Sequence, residues 1–236
     1  MSQFRQLMWV ALLSGALAGL VLFAVRHWTV EPLIEEAEAY ETAARQSHPD
    51  IPAGRDEGWQ PTSRFQRNLF TALATILSGI GFAAVLFGIV ALAGTPLTVG
   101  RGALWGLAGF ACFVLAPAIG LPPQPPGVAV ADLTARQLWW VLTVVATATG
   151  FWFLADRKRN WLFRIGGVAC ILLPHLIGAP VATGQNFVPA GLIRQFTIAS
   201  VATSALFWLL LGTAGGFVYS RCARISSEQN TQPPHQ

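Results

Sequence analysis

The largest group of side chains able to bind a cation lies in an acidic segment after the first apolar stretch. Five glutamates fall within 11 residues: Glu31, Glu35, Glu36, Glu38 and Glu41. The segment is rich in helix formers after Pro32, and proline is favoured in the first turn of a helix, so a helix is predicted here. On that helix Glu31, Glu35 and Glu38 share one face. His27 would extend this face by one turn if the preceding helix continues unbroken.

Five neighbouring carboxylates repel one another unless a cation or a basic group screens them. Carboxylate oxygens bind hard and borderline divalent ions, and an added imidazole shifts the preference towards cobalt, nickel, copper or zinc. The segment therefore predicts a cation-attracting surface, with Glu36, Glu38 and Glu41 as the primary metal ligands. The secondary candidates are His27, Glu31 and Glu35. The alternative interpretation is an exposed, hydrated helix face, partly neutralised by arginines of the same loop.

His175 is the second candidate metal ligand, and it lies in a proline-flanked apolar stretch. Pro174 has no N–H and leaves the carbonyl of Cys170 without its helical donor, while Gly178 and Pro180 loosen the next turn. Ionisable groups at membrane depth are costly and usually face the bundle interior or a water-filled cavity. The pattern predicts a polar site in which the imidazole binds a passing ion or carries a proton. The alternative is a histidine that is hydrogen-bonded for helix packing.

Both candidates require a membrane-embedded scaffold. Hydrophobic residues make up 53% of the 236 residues, charged residues only 11%, and the mean hydropathy is +0.52; a typical soluble domain is about 25% charged. A bilayer span needs about 20 mostly apolar residues, and the predicted spans are residues 7–25, 69–93, 102–121, 138–155, 162–181 and 196–219. The chain is therefore predicted to be an all-α integral membrane protein, a bundle of about six transmembrane helices with one larger polar outer loop at 26–68. Residues 1–221 form the single transmembrane domain and residues 222–236 a polar C-terminal tail.

Basic residues set the predicted orientation. Residues 157–159 (Arg-Lys-Arg) crowd one short loop, and Arg221 and Arg224 flank the last span. Because basic residues accumulate in cytoplasmic loops, both termini of this even-numbered bundle are predicted to be cytoplasmic. The acidic segment, the proline-rich linker at 122–127 and His175 then lie towards the outer side.

Short-range patterns predict how the helices begin and pack. Ser63 and Gln66 have the spacing of a capping box, which predicts the start of the second span. Asp132 and Arg136 are four residues apart and are predicted to pair before the fourth span. Small-xxx-small pairs, which let helix backbones approach closely, occur at Gly15/Gly19, Gly102/Gly106 and Gly212/Gly216.

Several function classes lack their sequence signatures. The chain has no GxxxxGK[ST] phosphate-binding loop, no HExxH or GxSxG motif and no CxxCH haem-attachment motif. Its three cysteines are widely spaced and are predicted to be apolar packing residues. With a single lysine, the net charge of +4 indicates topology rather than nucleic-acid binding. We therefore predict a non-enzyme without a permanently bound cofactor.

Several short motifs, taken in order, resemble one family along nearly the whole chain, from about Met1 to Tyr219. They are Glu36-Ala-Glu-Ala-Tyr-Glu41, Trp105-Gly-Leu-Ala-Gly-Phe110, Leu115-Ala-Pro-Ala-Ile-Gly-Leu-Pro-Pro123, Asp132-Leu133, Arg136-Gln137, Trp139-Trp140 and Pro174-His-Leu-Ile-Gly-Ala-Pro180. Their order and spacing are similar to those of the bacterial CbtA family, the proposed cobalt transporter subunit. None of these motifs is a known catalytic signature.

The resemblance implies cobalt uptake across the bacterial inner membrane, linked to cobalamin biosynthesis, with Co²⁺ as the transported substrate. It also implies a small, single-span, histidine-bearing partner called CbtB, while a homo-oligomer stays open. The ligands Glu36, Glu38, Glu41 and His175 are chosen on chemical grounds, at positions within the family-like motifs. The rival interpretation is a non-transporting membrane protein, either a redox or cofactor-binding subunit or an assembly scaffold. In a redox subunit, His27 and His175 would be the pair available to a haem.

Overall fold

The computed structural model describes residues 2–47, 61–155 and 160–231. These residues form helices and connecting segments without any strand, as predicted. The helices are α1 (Ser2–Thr29), α2 (Glu31–Ser47), α3 (Arg64–Leu92), α4 (Val99–Phe110), α5 (Ala116–Gly120), α6 (Leu133–Ala155), α7 (Trp161–Ile177) and α8 (Ala190–Thr231). In the described part, five helices are long and apolar enough to cross a membrane, counting α4 to α5 as one, and α7 is a shorter apolar helix. The chain is thus a multi-span membrane bundle.

Five of the six predicted spans each fall on one helix, and the third runs over α4, a π-helical turn and α5. The bounds differ most at α7. This helix ends at Ile177 because Gly178 adopts a positive φ of 89° and Pro180 has no N–H to continue the ladder. The carbonyl of Pro189 then accepts the first hydrogen bonds of α8. That helix remains helical to Thr231, into the segment predicted as a polar tail.

A π-helical turn at Ala111–Leu115 joins α4 to α5. Pro117 cannot donate a hydrogen bond, and its ring would crowd the carbonyl four residues earlier. The N–H of Ala116 bonds the carbonyl of Ala111, five residues back. The wider turn keeps α4 and α5 in one membrane-length helix despite the proline.

Polar side chains define the starts of α3 and α6. Ser63 accepts the Gln66 N–H at 3.2 Å, which confirms the predicted cap, whereas Gln66 reaches back to the N–H of Thr62 at 2.8 Å. Asp132 accepts the backbone N–H of Ala135 at 2.9 Å and caps α6. Asp132 and Arg136 both belong to the described residues and form no ion pair, so that prediction is wrong. Capping uses the carboxylate instead, because it satisfies a donor that has no helical partner.

The chain divides into two compact units. The first consists of residues 1–26, 59–109 and 203–236, and its helices cross at the predicted glycine pairs. A Cβ at Gly15 would lie 2.7 Å from the carbonyl oxygen of Gly79 on α3. On α4 and α8, Gly102 and Gly212 are so close that a Cβ on either would overlap the backbone of the other.

The second unit consists of residues 27–58 and 110–202. In this unit α6 and α7 form an antiparallel hairpin that crosses at Gly150 and Gly167. A Cβ at Gly150 would lie 2.6 Å from the carbonyl oxygen of Gly167. Neither glycine belongs to one of the pairs recognised in the sequence. The hairpin places His175, in the last turn of α7, beside the N-terminal half of α6.

Candidate functional site

The acidic segment forms the helix α2, as predicted. Although α1 ends at Thr29, the N–H of Ile34 bonds the carbonyl of Val30, so α2 follows almost without interruption. His27 lies one turn before Glu31 and hydrogen-bonds its carboxylate through Nδ1. A carboxylate can only accept, so Nδ1 carries the hydrogen. Part of the predicted acidic face is therefore already paired with an imidazole.

The other glutamates of α2 differ in their surroundings. Glu41 forms an ion pair with Arg45 at 2.7 Å, one turn further along the helix. Glu36 is exposed, whereas Glu38 and Glu41 are partly buried. The helix thus presents carboxylates in paired and solvent-facing positions, which is compatible with weak attraction of cations.

The face of α2 that carries Ala37 and Glu41, four residues apart, is packed against the remainder of the second unit. Ala37 is fully buried against Val188 and Leu192, which lie near the start of α8. The backbone at Gly127 approaches α2 closely, since a Cβ there would lie 3.2 Å from Cβ of Glu41. Gly127 also has a positive φ of 78°, which favours glycine. These contacts hold the acidic helix in a defined place.

Two connecting segments, residues 121–132 and 178–189, form the surface on which α2 packs; we call them the loop pair. The N–H of Phe187 bonds the carbonyl of Gly127 at 3.2 Å, and Asn186 accepts the N–H of Ala129 at 3.0 Å. The Thr197 hydroxyl donates to the carbonyl of Pro123 at 2.9 Å. The loop pair starts directly after α5 and α7. It therefore brings α2 to the end of this unit where His175 lies.

His175 occupies the last turn of α7, two residues before the helix ends. Pro174 beside it is fully buried, and the imidazole packs edge-on against the indole of Trp139, with ring centroids 5.9 Å apart. The Nδ1 atom of His175 is buried and has no hydrogen-bond partner among the described residues. Within the described residues, this nitrogen therefore contributes no hydrogen bond to helix packing.

Trp139 is the residue of this site that sequence reasoning missed. Its side chain is only 6% exposed, and its Nε1 is buried without a partner in the described part of the chain. Gly120 leaves room for the six-membered ring of the indole, and Ala179 lies beside the same space. Trp139 and Thr143 are buried one turn apart on α6. This spacing of polar side chains in an apolar helix is the signal that could have identified the site.

The structure does not bring the predicted ligands into one coordination sphere. Within the described ranges, no three His, Cys, Asp or Glu side chains lie close enough to hold a metal ion together. The carboxylates of α2 and the imidazole of His175 are instead two separate groups at one end of the second unit. An ion at His175 would complete its shell with water, backbone carbonyls or groups from another chain.

A protein-family model described as "Probable cobalt transporter subunit (CbtA)" matches residues 4–220. The match covers nearly the whole chain and includes both α2 and His175. It confirms the resemblance found in the sequence motifs. No curated protein and no solved structure matches the chain.

Proposed function

Because the chain belongs to the CbtA family of probable cobalt transporter subunits, we propose that it serves cobalt uptake for cobalamin biosynthesis and works with a single-span CbtB-like partner. The family match over residues 4–220 is the observation that carries this proposal. The protein acts as a permease subunit in the bacterial inner membrane, not as an enzyme. Co²⁺ is its substrate and not a resident cofactor.

The acidic helix α2 gathers the cation. Glu36 faces solvent, and Glu38 and Glu41 line the same helix at partly buried positions. A surface of one sign of charge raises the local concentration of the opposite ion. Because Arg45 neutralises Glu41, the attraction is moderate, and moderate attraction lets the ion leave again.

His175 takes the ion next. A neutral imidazole nitrogen is a good ligand for a borderline divalent metal. Within the described residues His175 belongs to no group of three or more His, Cys, Asp or Glu side chains, which makes this a weak site that a transported ion can leave. The CbtB-like partner, with its own histidine, supplies the missing protein ligand.

The orientation follows from the basic residues. Arg101 lies in the first turn of α4 and bonds the carbonyl of Pro96. Arg221 lies two residues beyond the predicted end of the last span and contacts the ring of Phe217. Residues 157–159, on which the argument also rests, lie outside the described residues. Basic residues favour the cytoplasmic side, so both termini are cytoplasmic and α2 is external.

The test is cobalt accumulation in cells that express the chain alone, the partner alone, or both. We expect cobalt content to rise above that of empty cells only with both proteins, because the family is described as a subunit. Nickel and zinc, measured in the same cells, show the selectivity. Equal content of every metal with and without the chain would favour the rival, a non-transporting redox subunit or scaffold.

Removing the charge of α2 should lower uptake selectively at low metal. The triple variant Glu36→Gln, Glu38→Gln and Glu41→Gln keeps side-chain size and removes three charges. If α2 concentrates the ion, the initial uptake rate at low external cobalt should fall several-fold, while the rate at saturating cobalt stays close to the parental value. The measurement is the initial rate of cobalt uptake over a concentration series.

A matched control removes three acids from the same loop but outside α2. The variant Asp50→Asn, Asp56→Asn and Glu57→Gln changes the loop charge by the same amount. It should change uptake less than the α2 variant at every concentration. If the two variants give identical uptake curves, or if the α2 variant has no effect, then α2 is only a solvated helix face that does not concentrate the ion.

A further inference from the structure

Two buried nitrogen atoms that have no hydrogen-bond partner in the described part of the chain lie on rings that pack against each other. Nε1 of Trp139 and Nδ1 of His175 are both unpartnered among the described residues, and their rings meet edge to face at 5.9 Å. The indole N–H can only donate, whereas a neutral imidazole nitrogen without hydrogen can accept. The two groups are therefore complementary, and buried polar groups are normally paired.

The side chain of Trp139 has less room to move than the side chain of His175. The six-membered ring of Trp139 is confined, since a Cβ at Gly120 would lie 2.7 Å from Cζ2 of the indole. His175 lies in the final turn of α7, just before Gly178 breaks the helix with its positive φ. A change in the side-chain torsions of His175, or one bridging water, would join the two nitrogens.

We propose that Trp139 is a positioning residue that competes with the metal for His175, by donating its Nε1–H to Nδ1 directly or through one water. The inference rests on the proposed function in one respect, that His175 binds the transported ion. The hydrogen bond holds the imidazole between passing ions. Its re-formation favours the release of a bound ion.

The competition follows from the hydrogen count of a neutral imidazole. Accepting from Trp139 at Nδ1 requires the tautomer that carries its hydrogen on Nε2. A metal bound at Nδ1 displaces Trp139 directly. A metal bound at Nε2 requires the hydrogen to move to Nδ1, where it faces a second donor. Metal binding through either nitrogen therefore breaks the hydrogen bond.

The first experiment needs no metal. Nitrogen NMR of the ¹⁵N-histidine-labelled protein, with His175 assigned by its loss in His175→Gln, reports which ring nitrogen carries the hydrogen. We expect the Nε2–H tautomer of His175 in the parental protein and a mixture of the Nδ1–H and Nε2–H tautomers in Trp139→Phe. Phenylalanine keeps an aromatic contact but has no N–H. Trp140→Phe is the matched control, because the adjacent Trp140 packs on Phe113 instead.

The second experiment measures cobalt affinity by calorimetry on the same purified proteins. Loss of the competing hydrogen bond should tighten binding in Trp139→Phe by about fivefold, the factor expected for one neutral hydrogen bond. A merely structural tryptophan would loosen the site when truncated. If Trp139→Phe does not fold, benzothienylalanine at position 139 keeps the indole shape and also lacks the N–H.

An unchanged tautomer, or cobalt affinity that is unchanged or weaker without the N–H, would overturn the inference. Failure of the proposed function has a different signature. In that case His175→Gln binds cobalt as tightly as the parental protein, and the competition has no metal to act on, even where the tautomer depends on Trp139. Tighter binding that appears together with the tautomer change, and only in the Trp139 variants, supports the inference.

Discussion

Replacing His175 with glutamine should reduce cobalt uptake at least tenfold while the variant still inserts into the membrane. Glutamine keeps polarity and a carbonyl acceptor, but its amide oxygen is a poorer ligand than imidazole for a borderline metal. Loss of even an outer-shell partner of a metal ligand costs about 10- to 100-fold. The measurement is the initial uptake rate divided by the amount of protein in the membrane.

Two controls separate metal binding from packing at this position. His235→Gln makes the same chemical change in the polar C-terminal tail and should leave uptake unchanged. Pro174→Ala should reduce uptake less than His175→Gln, because the helix still carries the imidazole. Parental uptake by His175→Gln at normal membrane levels would show that the histidine is only a packing residue.

Hydropathy was sufficient to locate the helices of the bundle, because an apolar stretch of membrane length has few alternatives to a helix in lipid. The interruptions needed finer rules. Pro117 is absorbed by a π-helical turn, whereas Gly178 and Pro180 end α7 altogether. Pattern alone did not distinguish these outcomes, because the difference lies in the backbone: Pro117 lies within a continuous helix, whereas Pro180 comes two residues after Gly178, which has a positive φ.

The contacts between distant segments were not predictable from one sequence. Ala37 is buried against Val188, although nothing local to either residue indicates the other. The indole of Trp139 and the imidazole of His175 meet because α6 and α7 cross at Gly150, not because of a shared motif. The candidate ligands were identified by residue type, but their separation into two groups is a property of the tertiary structure.

The glycine pairs illustrate the same boundary between local pattern and packing. The spacing of Gly102 and Gly106 predicts a close helix crossing, but it does not name the partner helix. The structure assigns that partner to α8, where Gly212 faces Gly102. Close packing of this kind contributes to helix association in lipid, where there is little hydrophobic drive between helices.

Adding a single methyl group at this crossing should destabilise the first unit strongly. In Gly102→Ala the new Cβ would overlap the backbone of Gly212, and a backbone atom cannot move aside as a flexible side chain can. Overpacking of this kind costs about 1–3 kcal/mol, occasionally more. We expect a lower melting temperature and less monodisperse protein on size-exclusion chromatography in detergent.

Gly100→Ala is the matched control, since it makes the same change two residues earlier on the same helix. A Cβ at Gly100 would have no heavy atom within 4 Å, and alanine is favoured over glycine in a helix by about 1 kcal/mol. Gly100→Ala should therefore be neutral or stabilising, while Gly102→Ala and Gly212→Ala both destabilise. Equal stability of Gly100→Ala and Gly102→Ala would mean that α4 and α8 do not approach at these glycines. Destabilisation by Gly102→Ala and Gly212→Ala, but not by Gly100→Ala, would locate the close contact where α4 meets the backbone of α8, because helix propensity favours alanine over glycine at all three positions.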